Sequence, residues 1–114
     1  MNVVSAAPTE SISEKLSVQR LSKALGLHNL RANVFTLAEG ALSRHLHREQ
    51  EEVYLVLDGM AMIDVDDQQY KVGERQALAV PAHAWHRVAN VGVGPLTFFV
   101  AAVPPTDDDA EIEA

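Results

Sequence analysis

A chain of 114 residues, 47% hydrophobic and 22% charged, is long enough for one folded domain and too apolar for a disordered one. Its formal net charge of -7 argues against a nucleic-acid partner, because binding to phosphate backbones needs a basic face. There is no cysteine, which excludes disulfides and thiolate chemistry.

In chain order, residues 1–14 are small and polar around Pro8 and predict a flexible arm, disordered or ordered only against another subunit. The start lacks a basic segment followed by an apolar core, and no apolar run reaches bilayer length, so a cytoplasmic location is the expectation. Between Leu16 and Leu27 two readings stand. Leu21 and Leu25 fit one face of a short helix, while Lys15 to Arg20 alternates like an edge strand; Gly26 ends the segment in either case.

Beyond Leu30 short apolar or alternating runs are punctuated by Gly, Pro, Asp and Asn, the mark of β-structure. Strands are predicted over 34–37, 41–46, 53–57, 60–65, 69–72, 77–80, 86–89 and 96–101. Turns are predicted at Asp58-Gly59, Asp66-Asp67 and Gly92 to Pro95. Eight closely spaced strands predict an all-β sandwich or barrel over 15–103, and the lack of a long amphipathic helix argues against a parallel βαβ fold. Residues 104–114 carry Asp107, Asp108, Asp109, Glu111 and Glu113 after two prolines and predict a solvated, mobile acidic tail.

The chemistry concentrates in four residues. His45 and His47 stand two apart, so on a strand both project from one face while Leu46 points away. A reversal around residues 48–51 can return the carboxylate of Glu52 to the imidazoles, and parity then puts Tyr54 and Val56 on the same face and Glu51 on the other. His86 can complete the set from a distant strand. Imidazole and carboxylate donors without thiolate suit a catalytic or transition-metal site rather than a structural zinc knot.

These residues also fall in two linked motifs that resemble those of the cupin superfamily. Gly40, His45, His47, Glu52 and Gly59 match the first, within HLHREQEEVYLVLDG, and Gly73, Pro81, His86 and Asn90 match the second, within GERQALAVPAHAWHRVAN. The resemblance covers roughly Leu30 to Ala102. It departs at three points: the gap from Gly40 to His45 is one residue short, that from Gly73 to Pro81 is two long, and His83 stands where a turn glycine is usual. The last departure predicts a non-glycine residue at positive φ or a turn of changed shape.

What the resemblance implies is a double-stranded β-helix, a small jelly-roll barrel, in which His45, His47, Glu52 and His86 hold one divalent transition ion, Fe, Mn, Ni, Zn or Cu. Such a fold implies an enzyme acting on a small polar molecule, with a dioxygenase as the leading expectation. The alternatives are a metal-dependent isomerase, decarboxylase or lyase, and a non-catalytic binding or sensing module. Tyr54 and His83 are the candidate catalytic groups beside the ion, with core packing and a surface turn as their respective alternatives. Trp85 is expected at the mouth of the site or packed on the turn. Arg44 shares the face of Leu46 and is expected to point away from the metal, to solvent or a subunit contact, with Arg48 at the surface; His28 is incidental, and Met60 and Met62 are expected to be packing or interface residues. A homodimer is expected through the arm and the outward Val53 and Leu55.

Overall fold

The computed structural model describes residues 2–106 and 109–113. The chain opens with β1 (Glu10–Ser11), β2 (Leu16–Gln19), the single-turn α1 (Leu21–Leu25), β3 (Arg31–Leu37) and β4 (Gly40–Ala41). It continues through β5 (His45–His47), β6 (Glu51–Asp58), β7 (Met60–Val65) and β8 (Gln68–Gly73). The last part holds β9 (Ala77–Val80), β10 (His86–Asn90), β11 (Leu96–Val103) and β12 (Ala110–Ile112).

Two antiparallel sheets face each other. One has the order β1-β2-β3-β11-β6-β9, the other β12-β5-β10-β7-β8 with β4 also pairing with β10. The non-sequential neighbours are those of a jelly roll, as expected from the many short strands. The core lies between the sheets. Phe98, Leu96, Leu37, Val56, Val80, Ile63 and Val88 are almost wholly buried there, drawn from alternate positions of strands in both sheets.

Each turn residue has a local physical reason. Asp66 and Asp67 both take positive φ, +47° and +69°, which a two-residue hairpin with right-twisted strands requires. Gly59 joins β6 to β7 at φ +94°, where an added Cβ would stand 2.7 Å from the carbonyl oxygen of Pro95. Residues 16–27 resolve into both readings in turn, a strand up to Gln19 and then a helical turn closed by Gly26 at φ +70°. The predicted strand over 41–46 is broken, because its neighbour β10 pairs with β4 at one end and with β5 at the other, leaving 42–44 out of the ladder.

Both terminal segments contain strands that their composition does not suggest. The arm expected to be flexible folds on its own chain: β1 pairs with β2, Glu10 forms an ion pair with Arg20 at 3.0 Å, and the Gln19 side chain donates to the Ser5 carbonyl. The tail expected to be solvated supplies β12, which is exposed and pairs with β5, and a buried Asp109. Of its described charges only Asp109 leaves water, meeting three hydrogen-bond donors (below), while Glu111 and Glu113 stay exposed. Asp107 and Asp108 lie outside the described residues. No described helix is long and apolar enough to cross a membrane.

Candidate metal centre

Strand register brings the four candidate ligands together. His86 on β10 is the direct partner of His45 on β5, so the two imidazoles share a face and their ring centroids lie 4.2 Å apart. His47 follows two residues on from His45, with its ring 5.1 Å away. Glu52 comes from the opposite sheet through β6, whose inward positions also carry Tyr54 and Val56. Glu51 is exposed, as parity requires. One ligand atom from each of His45, His47, Glu52 and His86 lies within 4.8 Å of all the others.

The hydrogen bonds fix which nitrogen each ring presents. His45 Nδ1 lies 3.1 Å from the Ser43 carbonyl and His86 Nδ1 2.9 Å from the Ala84 carbonyl. A carbonyl only accepts, so both Nδ1 atoms carry the proton and both Nε2 atoms keep a lone pair. His47 Nδ1 donates in the same way to Asp109 Oδ1 at 2.9 Å. In the neutral rings the Nε2 atoms of His86 and His47 turn their lone pairs toward a carboxylate, at 3.0 Å and 3.4 Å from Glu52 Oε1.

With the rings neutral, acceptors face an acceptor at these distances, and either a shared cation or a proton on Nε2 relieves the contact. Two ligands of one ion, each at about 2.1 Å and roughly 90–109° apart, stand about 3.0–3.4 Å from each other. The donor set therefore fits a single divalent ion, with two or three imidazole nitrogens and a carboxylate oxygen in reach of it.

The surroundings hold the set in its ligating forms. Burial lowers the pKa of His45, helped by the neighbouring His86, which keeps that ring neutral. Burial would raise the pKa of Glu52, yet the hydrogen bond from His86 and the charge of the three imidazoles, in their protonated forms, outweigh it and lower the pKa. Burial and the adjacent Glu52 push the Tyr54 phenol well above 10, so it stays protonated. Its hydroxyl stands 3.2 Å from Glu52 Oε1 and 3.1 Å from His86 Nε2. Asp109 behaves like Glu52: burial opposes ionisation, but His47 and the backbone N–H groups of Gln50 and Glu49 hold its pKa at about 2.

The other candidates separate by where they sit. His83 is exposed and takes φ +68°, the positive value anticipated for this glycine-like position; its backbone N–H donates to the His47 carbonyl at 2.7 Å. Arg44 points away from the ligands and lies over Trp85, 5.4 Å from its ring, while pairing with Glu113 at 2.9 Å. Trp85 is therefore packed under a surface cation, with its backbone N–H donating to Asp66 Oδ1. Arg48 faces Glu111, His28 is exposed, and Ala61 and Ile63 rather than Met60 and Met62 enter the core. Asp109 is the site residue that sequence reasoning missed. It belongs to a charge run 62 residues from His47, and neither spacing nor parity marks it.

Comparison with known proteins agrees with this geometry. Residues 33–102 match the model of the cupin domain. An uncharacterized protein of Methanocaldococcus jannaschii is 29% identical over 69 residues, 60% of this chain and 55% of that protein. The alginate biosynthesis protein AlgA of Pseudomonas aeruginosa is 36% identical over 62 residues, 54% of this chain and 13% of that protein. Among solved structures, a sugar phosphate isomerase of the cupin superfamily from Silicibacter pomeroyi superposes with a TM-score of 0.73 at 29% identity. It is covered over 60% of its length, by 79% of this chain. The chain thus spans little more than half of these relatives, and far less of AlgA.

Proposed function

The chain belongs to the cupin family, and from that premise we propose that it is a single-metal enzyme acting on a small polar, carbonyl-bearing molecule, with isomerisation as its reaction. The observation that carries the reading is that a nitrogen from each of three imidazoles and an oxygen of one carboxylate lie within 4.8 Å of one another beside a protonated phenol. A bound divalent ion supplies Lewis-acid polarisation of a carbonyl or hydroxyl oxygen. The chain's own residues do the rest. His45, His47, Glu52 and His86 are the ligands, and Tyr54 keeps a proton at its hydroxyl against Glu52 and His86. Beyond Tyr54, Val56, Phe98, Val80 and Val88 form an apolar wall that excludes water. His83 acts through its backbone, bracing the strand that carries His47.

Isomerisation is favoured over oxygen chemistry by the likeness to a sugar phosphate isomerase, since no group at the site is particular to oxygen. The test combines elemental analysis with turnover. Protein purified without added metal should hold about one transition ion per chain, and His47→Ala should lose it. Loaded with Mn, Fe, Ni or Zn, the protein should interconvert members of a panel of small hydroxy-aldehydes and hydroxy-ketones, followed by NMR. Refusal of every metal overturns the reading. Oxygen uptake by the Fe(II) form, with no interconversion, replaces isomerisation by dioxygenation.

A further inference from the structure

Of the three histidines, two lean on neutral backbone carbonyls, and only His47 leans on a charged side chain. That carboxylate, Asp109, is 7% exposed and has both oxygens committed. Oδ1 takes the His47 Nδ1–H at 2.9 Å, while Oδ2 takes the backbone N–H groups of Glu49 at 3.0 Å and Gln50 at 2.9 Å. The backbone joins in, with the Arg48 N–H donating to the Asp109 carbonyl at 2.9 Å. The Gln50 side chain ties the approach to this residue by donating to the Pro104 and Thr106 carbonyls, and β12 then runs on beside β5. Asp109 is therefore held from three directions, and its place beside His47 is fixed by the turn that links two ligand strands.

We propose that Asp109 is a positioning residue of the metal centre, locking His47 in the tautomer whose Nε2 lone pair faces the ion and strengthening that nitrogen as a donor. An ionised carboxylate can only accept, so the proton must sit on Nδ1, and the hydrogen bond also fixes the ring plane. Asp109 lies beyond the residues that match the cupin domain, which end at 102, so this is a feature of the present chain rather than of the matched segment. The consequence for ion affinity rests on the metal-binding reading above; the tautomer does not.

The experiment uses the full-length protein in metal-free and metal-titrated forms. Nitrogen-15 histidine spectra of the metal-free protein should show His47 protonated at Nδ1. In Asp109→Asn, which keeps the shape and removes the charge, the His47 resonances should move toward a mixture of tautomers while those of His45 and His86 stay. Competition with a chelator should show Mn, Ni or Zn bound 10–100-fold more weakly by Asp109→Asn, as expected for loss of such a partner. Asp109→Glu, which keeps the charge, should recover part of the loss. Circular dichroism establishes that each variant is folded before either reading is scored. An Nε2–H tautomer at His47 in the unsubstituted protein overturns the proposal, as does an unchanged affinity and tautomer in Asp109→Asn. If the unsubstituted protein binds no metal, the metal reading fails by itself, and the tautomer still decides the role of Asp109.

Discussion

His83 shows how a single residue can be read by its backbone rather than its ring. An L residue at φ +68° pays a steric cost that glycine avoids, about 1 kcal/mol, partly offset by the entropy glycine loses on folding. His83→Gly should therefore stabilise the protein by about 0.5 kcal/mol in urea unfolding and leave metal content unchanged. A loss of turnover with metal intact would give the imidazole itself a part in catalysis. The opposite outcome is expected at Gly59, where both the positive φ and the approach of Pro95 forbid a side chain; Gly59→Ala should cost about 2–3 kcal/mol in the same assay. At this scale the sequence was informative wherever parity applied. Alternation along a strand chose Glu52 over Glu51 and turned Tyr54 inward, because a period of two leaves no other option. Asp109 was illegible for the converse reason: its partner is set by tertiary contact, and an acidic residue among acidic residues looks solvated.

At the scale of elements, Asn90 at the end of β10 ties together segments that no ladder joins. Its side-chain N–H groups reach the carbonyls of Leu37, Ala38 and Gly94, and its oxygen accepts the Gly92 N–H. Asn90→Ala leaves these carbonyls short of a donor and should destabilise the fold by about 2–3 kcal/mol, with metal binding retained because the ligands lie at the other end of β10. Denaturant melts of the variant with elemental analysis check both halves. Six of the eight predicted strands have the observed bounds to within two residues, and the hydrophobic alternation explains that agreement. The exceptions are instructive: 34–37 began too late because Arg31 and Asn33 hide its polar start, and 41–46 ran across a break that only pairing with β10 reveals. The two terminal strands, β1 and β12, lie in polar or acidic segments whose pairing depends on neighbours supplied by the rest of the fold.

For the whole molecule, two properties remain to be tested. The outer face of the first sheet carries Val53, Leu57 and Val103, exposed by 37%, 45% and 51%, with Ala79 and Ala101 flanking Val53 in register. We propose this stripe as the homodimer contact; light scattering should give twice the 12.4 kDa chain mass, and Val53→Asp should return the monomer. Acid stability is set by the buried carboxylates. Asp109 has a folded-state pKa of about 2 against an ordinary 3.8, so its contribution is complete above about pH 4 and is lost as pH falls toward 2. Asp109→Asn should flatten that part of the stability profile, measured by thermal melting across pH.

The four candidate ligands are not drawn from one layer. His45, His47 and His86 stand on one sheet, while Glu52 stands on the other. An ion held by them fastens the two sheets together, in a chain that has no cysteine to do so covalently. Such a cation would in effect be the molecule's cross-link, removable by a chelator as a disulfide is by a reductant. Its addition should slow amide exchange on both sheets at once, and its stabilising effect should grow with the logarithm of free metal concentration.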